Sequence, residues 1–183
     1  MALLYLIRHG RAAAAWDQDP DPGLAPEGRQ QAQAAVEAMR PHGPLPLVVS
    51  PMARTRETAQ PFAAAWQVEP RIDTRIREIP SPAGLELGQR GAWLRQVAAM
   101  EWPALDPMLQ EWRQALLAAL LEARQDTVFI THFMVINAAV SAATADPRVV
   151  SFRPDYCSVT VLRNEDGRLR LIELGTEAKT RVL

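Results

Sequence analysis

Ala2-Leu3-Leu4-Tyr5-Leu6-Ile7 is a continuous apolar run that stops at Arg8-His9-Gly10. Short and without polar alternation, it reads as a strand buried on both faces, the kind found inside a parallel sheet covered by helices. The same pattern occurs twice more. Leu47-Val48-Val49-Ser50 is a second short buried strand, followed by Pro51 and then Arg54. Thr127-Val128-Phe129-Ile130-Thr131 is a third, followed directly by His132.

Helical patterns separate these strands. Pro26 suits a first helical position, with Glu27 in the first turn and Ala32, Ala35, Val36 and Met39 at helical spacing. Pro41, Gly43, Pro44 and Pro46 break that helix. A second helix carries Arg54 and Thr58, and Pro61 is expected to kink or end it. Asp106-Pro107 is a helix start, and Met108, Leu109, Trp112, Leu116 and Leu120 trace one face behind it. A small-residue helix surrounds Asn137 to Ala143. Residues 12 to 26, with three aspartates and three prolines, read as a loop. Residues 68 to 90 are mixed and proline-rich and yield no element. Ser158 to Leu162 and Arg168 to Leu174 read as two strands joined through Asn164-Glu165-Asp166-Gly167, a hairpin. Strands alternating with helices give an α/β fold: a three-layer sandwich whose central sheet is mostly parallel, expected as one domain over residues 1–183.

Composition narrows the function classes. With 183 residues, 48% hydrophobic and 22% charged, the chain can bury a core and lies far from a disordered composition. A net charge of -1 implies no global polyanion-binding surface, and no basic stripe with interleaved aromatics points to nucleic acid. The single cysteine, Cys157, rules out an intrachain disulfide and a cysteine metal cluster, and no zinc-ligand spacing or glycine-rich nucleotide loop is present. Cys157 itself reads as a small buried apolar residue. No stretch has the length of a membrane span, and the first apolar run is too short for a leader core. The expected location is the cytoplasm, with no metal, no cofactor and no membrane partner. The tryptophan-rich stretch from Trp93 to Trp112 serves either a homodimer contact or the core.

In open α/β sheets, ligand sites lie beyond the carboxyl ends of the strands. If the three strands are parallel neighbours, Arg8, His9, Arg54 and His132 converge. Singly, a strand-end histidine or an arginine after a strand is commonly structural. Jointly they stand out, because the chain has three histidines and two sit at such ends. Two guanidinium groups and two imidazoles make a cationic pocket suited to a phosphoryl group, whose oxygens match the guanidinium fork.

Leu4-Tyr5-Leu6-Ile7-Arg8-His9-Gly10 resembles the signature of the histidine phosphatase superfamily, the phosphoglycerate mutase-like proteins. Leu24 to Ala32 resembles that family's next helix start, Ser50-Pro51-Met52-Ala53-Arg54-Thr55-Arg56-Glu57-Thr58-Ala59 its second catalytic block, Thr131-His132 with Val135-Ile136 its second-histidine block, and Cys157 to Thr160 a late strand. The blocks follow the family's order from residue 2 to about residue 162.

The resemblance implies a phosphoglycerate mutase-like fold and a metal-independent phosphomonoester hydrolase of the histidine acid phosphatase type, acting on a small phosphorylated metabolite. His9 would attack phosphorus to give a phosphohistidine, while Arg8, Arg54 and His132 clamp the phosphoryl oxygens. Glu78, in Arg77-Glu78-Ile79-Pro80, would protonate the leaving group. Gly10, Arg11, Ser50 and Phe133 are the candidate substrate-binding residues. Two departures stand out: Phe133 and Met134 follow His132 where the family usually has glycines, and Ala25 occupies a helix cap usually held by Thr or Ser. The two bulky residues line either an apolar substrate wall or the core. The alternatives carried beside hydrolysis are a phosphoglycerate mutase-type transferase and a phosphate-binding module of the same fold.

Overall fold

The computed structural model describes residues 1–178. Its elements, in chain order, are β1 (Ala2–Arg8), α1 (Pro26–Met39), β2 (Leu47–Val49), α2 (Ala53–Trp66), β3 (Arg71–Ile72), α3 (Arg90–Ala98), α4 (Pro107–Leu121), β4 (Thr127–Thr131), α5 (Phe133–Thr144), β5 (Val159–Glu165) and β6 (Arg168–Glu173). The strands form one sheet in the order β3-β2-β4-β1-β5-β6. The pairings of β1 with β4, β4 with β2 and β2 with β3 are parallel, and β5 and β6 add an antiparallel edge.

Alternation along each strand sorts side chains into two cores. Leu4, Leu6, Val48 and Phe129 point to one face, where α4 and α5 and the Ile76–Ile79 segment cover them. Tyr5, Ile7, Val49, Val128 and Ile130 point to the other, against Ala35, Val36 and Met39 of α1 and Ala59 and Phe62 of α2. This is the three-layer α/β sandwich expected from the sequence. Trp102 and Trp112 belong to the first core, ring centroids 6.3 Å apart.

Local chemistry accounts for the element ends. Pro26 opens α1, and Ala25 supplies no side-chain cap. Asp106 caps α4 by accepting from the Leu109 N–H at 3.1 Å. The β5–β6 turn is tighter than the four residues expected: Asp166 and Gly167, both at positive φ, make the bend while Asn164 and Glu165 remain in the strand. Pro61 neither ends nor interrupts α2, which runs on to Trp66 and stops at the left-handed Gln67. An interior proline costs about 3 kcal/mol. Fully buried Phe62 contributes about 1.5–3 kcal/mol in the opposite direction. The unassigned stretch 68–90 holds the two-residue β3 and short 3-10 turns at Thr74–Ile76 and Leu87–Gln89. Cys157, expected to be buried, is half-buried and adopts a positive φ of 56° at the entry to β5.

Candidate active site

The parallel register brings three strand ends side by side. Arg8 of β1 lies opposite Thr131 of β4, and Val49 of β2 opposite Ile130. One residue further on, the His9 N–H donates to the Thr131 carbonyl at 2.9 Å and the Ser50 N–H to the Ile130 carbonyl at 3.1 Å. His9 and His132 therefore face each other, with ring centroids 5.3 Å apart and planes at 63°. α2 starts just after β2, so its first turn sets Arg54 against both rings. Arg54 Nε donates to His9 Nε2 at 3.1 Å, and Nη2 donates to His132 Nδ1 at 3.2 Å.

These contacts assign the tautomers through the hydrogen-bond network. His9 Nδ1–H donates to the Gly10 carbonyl at 2.7 Å, which leaves the Nε2 lone pair facing Arg54. His132 accepts at Nδ1, so its Nε2–H donates to Ser50 Oγ at 2.7 Å. Burial first, then Arg54 and Arg8, hold the His9 pKa well below the ordinary imidazole value. Burial, Arg54, His9 and Arg8 do the same for His132. Both rings are neutral near pH 7.

Arg8 is aimed by backbone and aromatic rings. Its Nη1 donates to the Pro154 carbonyl at 2.9 Å, and its guanidinium carbon lies 4.1 Å from the Tyr156 ring centroid and 5.2 Å from that of Phe133. Arg8 Nε and Arg54 Nη1 are buried with no hydrogen-bond partner among the described residues. Asp21 Oδ1 lies 3.9 Å from Arg54 Nη1, beyond hydrogen-bond reach. Glu78 faces the same space. Burial raises its pKa, against the opposing pull of Arg54, the Ile79 N–H and Arg8.

The space in front of these groups is a cleft of about 200 Å³. Arg8, His9, Arg54 and Glu78 supply its charged and imidazole groups, and Ala12, Ala14, Ala15, Trp16, Pro22, Leu94, Phe133 and Tyr156 complete the wall.

The model of the histidine phosphatase superfamily (branch 1) matches residues 4–177. The chain belongs to this superfamily. It is similar to a probable phosphoglycerate mutase GpmB of Erwinia tasmaniensis, 28% identical over 165 residues, covering 80% of this chain and 77% of that one. Its fold is similar to a mycobacterial glucosyl-3-phosphoglycerate phosphatase solved with VO3, with a TM-score of 0.73 at 24% identity over 97% of this chain and 100% of that one. It is also similar to Bacillus stearothermophilus YhfR, with a TM-score of 0.78 at 20% identity over 94% and 96%.

Within this member of the superfamily, the structure brings Arg8, His9, Arg54, His132 and Glu78 together and distributes the other candidates differently. Gly10 takes part through its backbone: its carbonyl receives His9 and its N–H donates to Thr58 Oγ1 at 3.1 Å. Ser50 holds His132 and does not line the cleft. Phe133 lines the cleft beneath Arg8, whereas Met134 is fully buried in the core. Arg11, expected to bind substrate, is exposed and ion-paired to Glu27 at 2.6 Å, outside the lining, because the α1 start draws its side chain away. His42, the third histidine, is exposed beside Tyr5.

Sequence reasoning missed Tyr156, Trp16 and Leu94. Tyr156 sits in irregular chain ahead of β5, where no periodicity marks it. Trp16 carried a usable signal, a lone aromatic in a loop of alanines and aspartates. Thr58 of α2 has a role that its helical position does not announce. Its hydroxyl donates to the Arg54 carbonyl at 2.7 Å and accepts from Gly10, tying the His9 loop to the Arg54 turn.

Proposed function

We propose that this chain is a metal-independent phosphomonoester hydrolase that works through a phosphohistidine at His9. The observation that carries the reading is the His9 ring: Nδ1–H is fixed on the Gly10 carbonyl, and the Nε2 lone pair faces a cleft holding Arg8, Arg54 and Glu78. A low pKa keeps that lone pair unprotonated, as a nitrogen nucleophile requires. An arriving phosphoryl oxygen competes for the Arg54 N–H and releases the lone pair. The partnerless N–H groups of Arg8 and Arg54 match the equatorial oxygens, and neutral His132 lies behind Arg54, accepting from its Nη2 and holding the guanidinium in place.

The Nε2–P bond forms as the P–O ester bond breaks. Protonated Glu78 gives its proton to the departing alkoxide. Water then attacks phosphorus, its proton passes to the Glu78 carboxylate, the N–P bond breaks, and inorganic phosphate leaves. Protein cations supply the charge stabilisation in this scheme. The substrate is a small soluble monoester.

A second reading, phosphotransfer between positions of a phosphorylated sugar acid, is favoured by the likeness to a probable phosphoglycerate mutase. Turnover of p-nitrophenyl phosphate in EDTA separates the two. Phosphate release without a bisphosphate primer, lost in His9→Ala, is the expected result. Release that depends on added metal, or that survives His9→Ala, would contradict the proposal. Strict dependence on a bisphosphoglycerate primer would favour the mutase.

A further inference from the structure

The cleft has two chemically different ends. One end holds the cations. The other wall is built from Trp16, Leu94, Pro22, Ala12, Ala14 and Ala15. This wall is braced: Trp16 packs on Trp93 of α3 with ring centroids 6.2 Å apart, and the Arg90 guanidinium carbon lies 5.4 Å from the Trp16 centroid. Arg90 is thus engaged on the indole and does not line the cleft. Arg11 is held away by Glu27. Among the described lining residues the guanidinium groups are Arg8 and Arg54, both at the phosphoryl end, and Glu78 is the carboxylate.

We infer that the chain selects phosphate monoesters whose leaving group is small, uncharged and apolar, an alkyl or aryl alcohol, and discriminates against leaving groups that carry a carboxylate or a second phosphate. The inference rests on the reading of the His9 centre as the phosphoryl site. A carboxylate placed against Trp16 and Leu94 gives up its water and meets no cation in exchange. Nearby Glu78 adds like charge whenever it is ionised. An alkyl or aryl group in the same place removes apolar surface from water on both sides. A cleft of about 200 Å³, below the ~300–1,000 Å³ of sites for drug-sized ligands, suits a small leaving group.

Non-hydrolysable phosphonates test selectivity without turnover. Calorimetric titration of the wild-type protein in phosphate-free buffer compares phenylphosphonate and butylphosphonate with 3-phosphonopropionate. The apolar phosphonates are expected to bind at least about tenfold more tightly. In Leu94→Arg, which places a cation on the apolar wall, 3-phosphonopropionate gains affinity and the ratio narrows. Equal affinities, a preference for the carboxylate, no measurable binding of either class, or a ratio unmoved in folded Leu94→Arg would overturn the inference. If the wild type shows the expected order yet hydrolyses no monoester, selectivity stands and the hydrolase reading falls. If it hydrolyses monoesters but the order is reversed, only the selectivity falls.

Discussion

At the scale of single residues, the chemistry depends on two ring nitrogens of His9 having different partners. Nδ1 is spent on the Gly10 carbonyl, and Nε2 is kept basic but unprotonated by burial and by neighbouring cations. Glu78 is tuned the other way: burial favours its neutral form, which is the form able to donate a proton. Glu78→Gln therefore lowers kcat/KM, which reports formation of the phosphohistidine, for alkyl phosphates by about 10²–10⁴-fold, the usual worth of a positioned general acid. It has a much smaller effect on p-nitrophenyl phosphate, whose leaving group departs as a stable anion. The variant also loses the alkaline limb of the pH–rate profile, because that limb reports ionisation of the acid. Equal losses on both substrates, with the alkaline limb intact, would remove Glu78 from the role. Arg8, His9, Arg54 and His132 were legible because each sits at or just beyond the end of a buried strand. Glu78 came only from family resemblance, since a glutamate beside Arg77 in proline-rich chain has no local signature. Tyr156, the ring closest to Arg8, was not legible at all, because its place is set by the β5 entry and not by its neighbours in sequence.

Among the elements, the contact between the end of β1 and the start of α1 sets the position of the nucleophile. A side chain on Gly10 would meet the Gly28 carbonyl, and one on Gly28 would meet the Arg11 backbone. The two backbones touch where Cβ atoms have no room. Gly28→Ala must push the His9-Gly10-Arg11 segment away from α1. We expect a loss of about 1–3 kcal/mol, the range for overpacking, read as a Tm drop of several degrees. A fall in kcat should accompany it as the Gly10 carbonyl leaves His9. A Tm and kcat equal to wild type would show that this contact positions nothing. α1, α4 and the β5–β6 hairpin were readable from Pro26, Asp106-Pro107 and the Asn164-Glu165-Asp166-Gly167 stretch, residues whose backbone preferences act locally. The persistence of α2 through Pro61 was not readable, because burial of Phe62 against the sheet outweighs the local penalty. The covering chain between β3 and α4 was equally opaque. Its turns follow from packing of Ile76, Ile79 and Trp102 onto the first core, not from periodicity.

Over the whole molecule, the layered fold was legible because three continuous apolar strands demand cover on both faces. The central order β2-β4-β1 was a condition the site required and the sheet meets. Burying two neutral imidazoles at its centre couples stability to pH. Both titrate lower in the folded chain than in the unfolded one, so the unfolded chain gains protons first as pH falls through its own value of about 6.5. The stability this contributes is complete above that pH and is lost as pH falls toward the depressed folded values. The Tm should therefore drop between pH 7.5 and 5.5. The slope should shrink in a His9→Gln/His132→Gln double variant, and an unchanged slope would contradict the neutral assignment. The most direct test of the account is to quench a turnover reaction under alkaline conditions, which preserve phosphohistidine, and map the protein by mass spectrometry. One phosphoryl group on His9, absent from His9→Ala, is the expected result. Phosphate release in the wild type with no phosphorylated protein, or with the group on any other residue, would contradict it.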